Sequence, residues 1–109
     1  MSPFHRAARF ESEDMALAAY SAVAEIVILL GEGEIAAYRL TLGGTWHVVV
    51  VADREPSAGV LLVVEHVMAE GERVDLSADT VEKLLDRHHE GSRKVGGDWV
   101  EHHRPGLQL

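Results

Sequence analysis

The segment EIAAYRLTLGGTWHVVVV, residues 34–51, constrains the fold of this chain more than any other stretch. Its first half alternates apolar with other residues, which is the period of a half-buried β-strand. Gly43-Gly44 follows, where a two-residue hairpin turn needs positive φ angles. The sequence therefore predicts a β-hairpin with a defined register. The predicted pairs are Leu42 with Thr45, Thr41 with Trp46, Leu40 with His47, Arg39 with Val48, Tyr38 with Val49, and Ala36 with Val51.

The apolar segment upstream of the hairpin predicts a helix over residues 13–30. Ser12 is a suitable N-cap, two acidic residues follow it in the first turn, and Gly31 suits the position after the last turn. Only Ser21 and Glu25 interrupt the run MALAAYSAVAEIVILL. A helix that is apolar nearly all round must be covered on more than one side.

Three further elements are predicted downstream of the hairpin. Residues 60–68, VLLVVEHVM, favour a third strand because of their β-branched content and flanking glycines, with a short helix as the alternative. Residues 74–76, VDL, are consistent with a brief edge strand. Ser77 is expected to N-cap a second helix that ends before Gly91.

These elements indicate an α+β protein of α-β-β-β-α order, in which an antiparallel three- to four-stranded meander is packed by an N-terminal and a C-terminal helix. Residues 12–91 are predicted to form the single domain. Residues 1–11 are predicted to be a flexible N-terminal arm. Residues 92–109 are predicted to be a C-terminal tail with room for one short strand near residues 99–102.

The acidic composition bounds the partners of this chain. Eighteen acidic against ten basic residues give a formal charge of −8, which disfavours duplex nucleic acid. The absence of cysteine excludes disulfides, thiol catalysis and thiolate metal sites. The acidic ESED segment precedes the apolar run, unlike a secretory signal, and that run is short for a membrane span. We therefore expect a cytoplasmic protein that binds neither nucleic acid nor membrane.

Two adjacent-histidine pairs, His88-His89 and His102-His103, raise the question of a metal site. Adjacent residues point about 100° apart on a helix and to opposite faces on a strand, so neither pair can chelate one ion. His88 instead continues the apolar stripe of the predicted second helix, while His89 points outward. A mixed site of Asp86, His89 and His103 has no recognised ligand spacing. We expect no metal and no cofactor.

Three residues among apolar neighbours are the candidates for catalysis or ligand binding. Tyr38 and His47 share the apolar face of the hairpin, and His66 lies among the aliphatic residues of the predicted third strand. If these apolar neighbours form a pocket, a histidine within it can act as an acid or a base. A core histidine that bonds to the backbone is the commoner arrangement, and we favour it. Trp46, beside the hairpin turn, is a further candidate for ligand binding and is expected to be partly exposed.

Apolar character on both sheet faces and around the first helix exceeds what one small layer can bury. Self-association as a two-fold homodimer, through the first helix or the outer sheet face, is the simplest way to bury this apolar surface. The sequence contains no catalytic motif that we recognise. We therefore expect a small acidic self-associating protein-interaction or regulatory module without catalytic activity. The alternative is a small enzyme or ligand-binding protein with a pocket on the sheet lined by Tyr38, His47 and His66, so enzymatic activity stays an open question.

Overall fold

The computed structural model describes residues 4–30, 35–85, 91–95 and 98–103, the last two ranges by their backbone alone. The described strands form one antiparallel sheet in the order β4-β1-β3-β2-β6-β5. The elements along the chain are β1 (Phe4–Phe10), α1 (Glu13–Leu30), β2 (Ile35–Leu42), β3 (Thr45–Ala52), α2 (Ala58–Met68), β4 (Glu72–Val74), α3 (Ala78–Leu85), β5 (Gly91–Val95) and β6 (Asp98–His103).

The first six elements have the connectivity of a split βαβ, or ferredoxin-like, unit. Their order is β-α-β-β-α-β, and their strands lie in the order β4-β1-β3-β2. Helices α1 and α2 pack on one face of this sheet. The last three elements extend the unit, because β6 pairs with β2 and α3 packs on the opposite face. The predicted α+β class and antiparallel sheet are thus confirmed, while the predicted α-β-β-β-α order omitted several elements.

The hairpin formed by β2 and β3 has the predicted register at every predicted pair. Gly43 and Gly44 have φ angles of 62° and 81°, which a residue with a side chain rarely adopts. The turn and the period-two pattern are both local features. They were therefore sufficient to predict this part of the sheet.

Residues 4–10 form a strand, whereas residues 1–11 were predicted to be a flexible arm. Strand β1 pairs with β3 along its whole length, so it lies in the interior of the sheet. Its two arginines form ion pairs, Arg6 with Glu65 and Arg9 with Glu72. These partners lie 59 and 63 residues away along the chain, so nothing local in the sequence indicates them.

Residues 60–68 lie in helix α2, so the predicted third strand was wrong and the helical alternative is correct. Strand β1 lies between β3 and β4 and is antiparallel to both, which makes β3 and β4 parallel to each other. A connection between parallel strands must cross over the sheet, and a helix is its usual form. Val60, Val64 and Met68 are buried at helical spacing under this crossover. Tertiary packing has overridden the β-branched composition.

Both predicted N-caps are present. The hydroxyl of Ser12 accepts a hydrogen bond from the backbone N–H of Met15 at 3.2 Å, and that of Ser77 accepts one from Thr80 at 3.2 Å. The predicted edge strand is β4, which lies two residues earlier than expected and pairs with β1 at the border of the sheet. The C-terminal tail contributes β5 and β6, one strand more than was predicted.

The sheet separates two hydrophobic clusters. The cluster under α1 and α2 includes Val23 and Val64, and the cluster on the α3 side includes Tyr38 and Val81. Residues 48–51 of β3 are fully buried, alternately in one cluster and in the other. A strand covered on both faces reads as a continuous apolar run, which explains the VVVV sequence.

Within the described ranges, no helix combines the length and the apolarity that crossing a membrane requires. Helix α1 is the longest of them, at about 27 Å. It also forms a large part of the exposed surface that is analysed below.

Candidate functional site

Tyr38 belongs to the cluster on the α3 side, and His47 is buried on the same face of the sheet. Tyr38 is fully buried, and its hydroxyl donates a hydrogen bond to the backbone carbonyl of Leu84 in α3. His47 is 6 % exposed, and its Nδ1 lies 2.8 Å from the carbonyl oxygen of Thr45. Because a carbonyl can only accept, Nδ1 carries the proton in this contact. His47 is thus a core histidine bonded to backbone, as the favoured interpretation of the sequence had it.

His66 and Trp46 lie on the other side of the sheet. His66 is an exposed residue of α2. Trp46 packs against the cluster beneath α1 and α2 and is partly exposed, as expected. The four predicted ligand-binding residues are therefore divided between two faces, with Tyr38 and His47 on one face and Trp46 and His66 on the other. The fold does not bring them together as a pocket.

Arg39 is a buried cation that connects α1 to the hairpin. It is 8 % exposed, and its guanidinium carbon lies 5.0 Å from the centre of the Trp46 ring. Its Nη1 lies 3.6 Å from the Oε1 of Glu13, in the first turn of α1. Stacking on an indole and an ion pair both stabilise a guanidinium that is largely removed from water. This geometry accounts for Arg39 as a structural residue.

The two histidine pairs lie in the C-terminal quarter of the chain. His88 and His89 lie outside the described residues, so the prediction for their orientation stays a prediction. His102 and His103 occupy adjacent positions of β6, opposite Tyr38 and Ala37. Among the described side chains, no three His, Asp or Glu residues form a group that could hold a metal ion.

The outer surface of α1 and α2 carries the exposed apolar residues of the described part of the chain. All the large hydrophobic side chains that are substantially exposed there belong to these two helices, and Leu62 and Leu29 are the most exposed at 73 % and 67 %. On α1, Met15, Ala22 and Leu29 recur at spacings that place them on one side of the helix. The helix-layer face, as we call it, consists of Met15, Ala18, Ala22 and Leu29 of α1 with Leu62 and His66 of α2.

A groove between α1 and α2 runs through the helix-layer face. Its volume is about 380 Å³ near the start of α1. Small side chains on α1 leave this space open, because alanine cannot fill the gap between two packed helices. The residues that line it are Phe10, Met15, Ala18, Ala19, Ala22, His66, Val67 and Glu70.

Comparisons with protein-family models, with curated protein sequences and with solved structures found no match. The ferredoxin-like connectivity therefore rests on element order and strand order. This arrangement carries many unrelated functions, so function must be argued from the surface of this chain. The exposed aliphatic residues of α1 were visible in its all-round apolar sequence. The groove was not, because it depends on residues 60–68 being helical.

Proposed function

We propose that this chain is a small acidic, cytoplasmic protein-interaction module without catalytic activity, which self-associates as a two-fold homodimer through the helix-layer face. The observation that carries this proposal is the concentration of exposed aliphatic side chains on α1 and α2. Surface apolar residues that are scattered singly need no explanation, but a contiguous group usually marks a contact surface. A two-fold contact buries the same group of residues twice.

The other surfaces of the described sheet are less suited to self-association. On the face opposite the helix layer, residues such as Tyr38, Val49 and Val51 are already buried. At one border, β4 is only three residues long and carries Glu72 and Arg73. At the other border, β5 has the sequence GSRKV. Short strands and charged residues at sheet edges oppose pairing between chains.

The energetic argument is strongest for Leu29 and Leu62. Complete burial of one leucine side chain is worth roughly 1.5–3 kcal/mol. A two-fold contact would bury each of them in both copies. This gain offsets part of the several kcal/mol that association costs in translational and rotational freedom.

Light scattering after size exclusion tests the proposal. At low micromolar concentration we expect a species of twice the 11.9 kDa chain mass. The double variant Leu29→Ser/Leu62→Ser should elute as a monomer, because both substitutions remove apolar area from the contact. Leu17→Ser is the matched control, since Leu17 is an exposed leucine of α1 that lies off the groove side. A wild-type monomer, or equal effects of the two variants, would refute the proposal.

The alternative function, an enzyme or ligand-binding protein with a pocket of Tyr38, His47 and His66, lacks support. Tyr38 packs against α3 and His47 lies on the same face of the sheet, whereas His66 lies on α2 across the sheet. Acid–base chemistry on a shared substrate needs groups that converge within hydrogen-bond reach. These three side chains do not converge.

A further inference from the structure

The helix layer has exposed carboxylates that repel the same carboxylates of a second copy of this chain. Helices α1 and α2 carry four carboxylates and no lysine or arginine. Glu13 and Glu65 pair with arginines of the sheet, whereas Asp14 and Glu25 are exposed at the surface. Glu70, just after α2, lines the groove between the two helices. Two copies that meet through this surface bring carboxylates towards carboxylates, which weakens their association.

Two carboxylates of α1, Asp14 and Glu25, lie along the outer edge of the groove. Asp14 is four residues before Ala18 and Glu25 is seven residues after it, so the three residues share one side of the helix. Both carboxylates are exposed. Ala22, three residues before Glu25, lies nearer to α2 and forms part of the groove lining. The apolar lining of the groove is therefore bordered by the carboxylates of Asp14 and Glu25.

We propose that this groove binds a positively charged amphipathic helix of another protein. The apolar stripe of that helix would pack on the alanine floor, and its lysine or arginine side chains would reach the carboxylates at the edge. This inference rests on the proposed function, because it names a partner for the same surface. It makes the second copy the weaker of two competing occupants.

The shape and charge of the groove both fit such a partner. In helix-in-groove recognition the bound helix presents apolar anchors at positions i, i+3 or i+4, and i+7. Anchors at this spacing can pack against the small residues of α1 that line the groove. The space near Met15 and Phe10, about 380 Å³, can admit large aliphatic or aromatic anchors of the partner. The formal charge of −8 also attracts a cationic helix and raises its rate of encounter.

A binding measurement with two peptides tests the chemistry of the partner. The first is a fluorescent helix of about 18 residues made of leucine and lysine, as long as α1 at about 1.5 Å per residue. The second has the same leucine stripe and glutamate in place of lysine. Fluorescence anisotropy should show saturable binding of the lysine peptide and none of the glutamate peptide. Addition of the lysine peptide should also convert the homodimer to a one-to-one complex.

Two charge-reversal variants locate the binding surface. Glu25→Lys and Glu82→Lys change the net charge equally, but Glu82 is exposed on α3, across the sheet. We expect Glu25→Lys to weaken binding of the lysine peptide on the order of tenfold, and Glu82→Lys by less than about twofold. Ala22→Trp, which fills the floor of the groove, should weaken binding without changing the net charge.

The results separate this inference from the proposed function. Equal losses from Glu25→Lys and Glu82→Lys, or equal binding of the two peptides, would overturn the inference, because binding would then reflect overall charge or apolarity alone. Unchanged binding by Ala22→Trp would also overturn it. Failure of the lysine peptide to bind a chain that self-associates through Leu29 and Leu62 would refute the cationic partner and leave the proposed function standing.

Discussion

At the scale of single residues, polar groups in the core serve to connect elements. The hydroxyl of Tyr38 holds α3 against the sheet through the Leu84 carbonyl, and the ring of His47 is fixed by the Thr45 carbonyl. Arg39 connects α1 to the hairpin through Glu13. A buried polar group needs a hydrogen bond or an ion pair, and each of these contacts supplies one or the other. Tyr38 and His47, two of the candidate catalytic residues, are thus explained by packing.

Removal of the Tyr38 hydroxyl should weaken the attachment of α3. Tyr38→Phe keeps the ring but deprives the Leu84 carbonyl of a donor, so we expect the free energy of unfolding to fall by about 1–2 kcal/mol. Urea denaturation measures this change. Amide hydrogen exchange should show faster exchange in α3 and unchanged exchange in α1. An unaltered unfolding free energy would mean that the hydroxyl bond contributes nothing to stability.

At the scale of elements, α2 shows how a segment of strand-like composition becomes a helix. Its buried residues recur every four positions, whereas a strand would bury every second residue. A crossover between parallel strands such as β3 and β4 is usually a helix, and here β1 lies between the two strands. Whether this segment becomes a helix or a strand therefore depends on pairing between distant parts of the chain.

A pair of substitutions distinguishes the helix from a strand. In a strand, Leu62 and Val64 would point to the same face and lose similar stability on truncation. In α2, Val64 is fully buried, whereas Leu62 is 73 % exposed. At a protein concentration where the chain is monomeric, we expect Val64→Ala to lower the free energy of unfolding by about 1–2.5 kcal/mol, and Leu62→Ala to change it by less than about 0.5 kcal/mol. Equal losses in thermal or urea unfolding would contradict the helical assignment.

At the scale of the whole molecule, exposed carboxylates and exposed aliphatic side chains lie on the same side of the sheet, on α1 and α2. The helix layer combines exposed aliphatic residues with carboxylates, so the proposed self-association would gain from burial and lose from repulsion. Salt screens the repulsion and leaves the burial largely unaffected. The balance between these two effects would make the proposed association sensitive to ionic strength.

Self-association should therefore strengthen with salt. Between about 0.1 M and 1 M NaCl the Debye length falls from about 10 Å to about 3 Å, so the dimer dissociation constant should fall several-fold. Sedimentation equilibrium measures it. Glu25→Gln should tighten the dimer at low salt and reduce the salt effect, whereas Glu82→Gln, across the sheet, should do neither. Dimer formation that weakens as salt rises would show that attraction between charges holds the copies together.

The sequence by itself determined the features that depend on neighbouring residues. The register of the β2–β3 hairpin follows from Gly43-Gly44 and the period of two, and the starts of α1 and α3 follow from Ser12 and Ser77. Only the tertiary structure decided that β1 enters the sheet, that residues 60–68 are helical, and that Tyr38 and His66 lie on opposite sides. The physical reason is that these outcomes depend on β3, which pairs with β1 and β2 and is buried on both faces. Such contacts join residues far apart in sequence, and local propensity does not encode them.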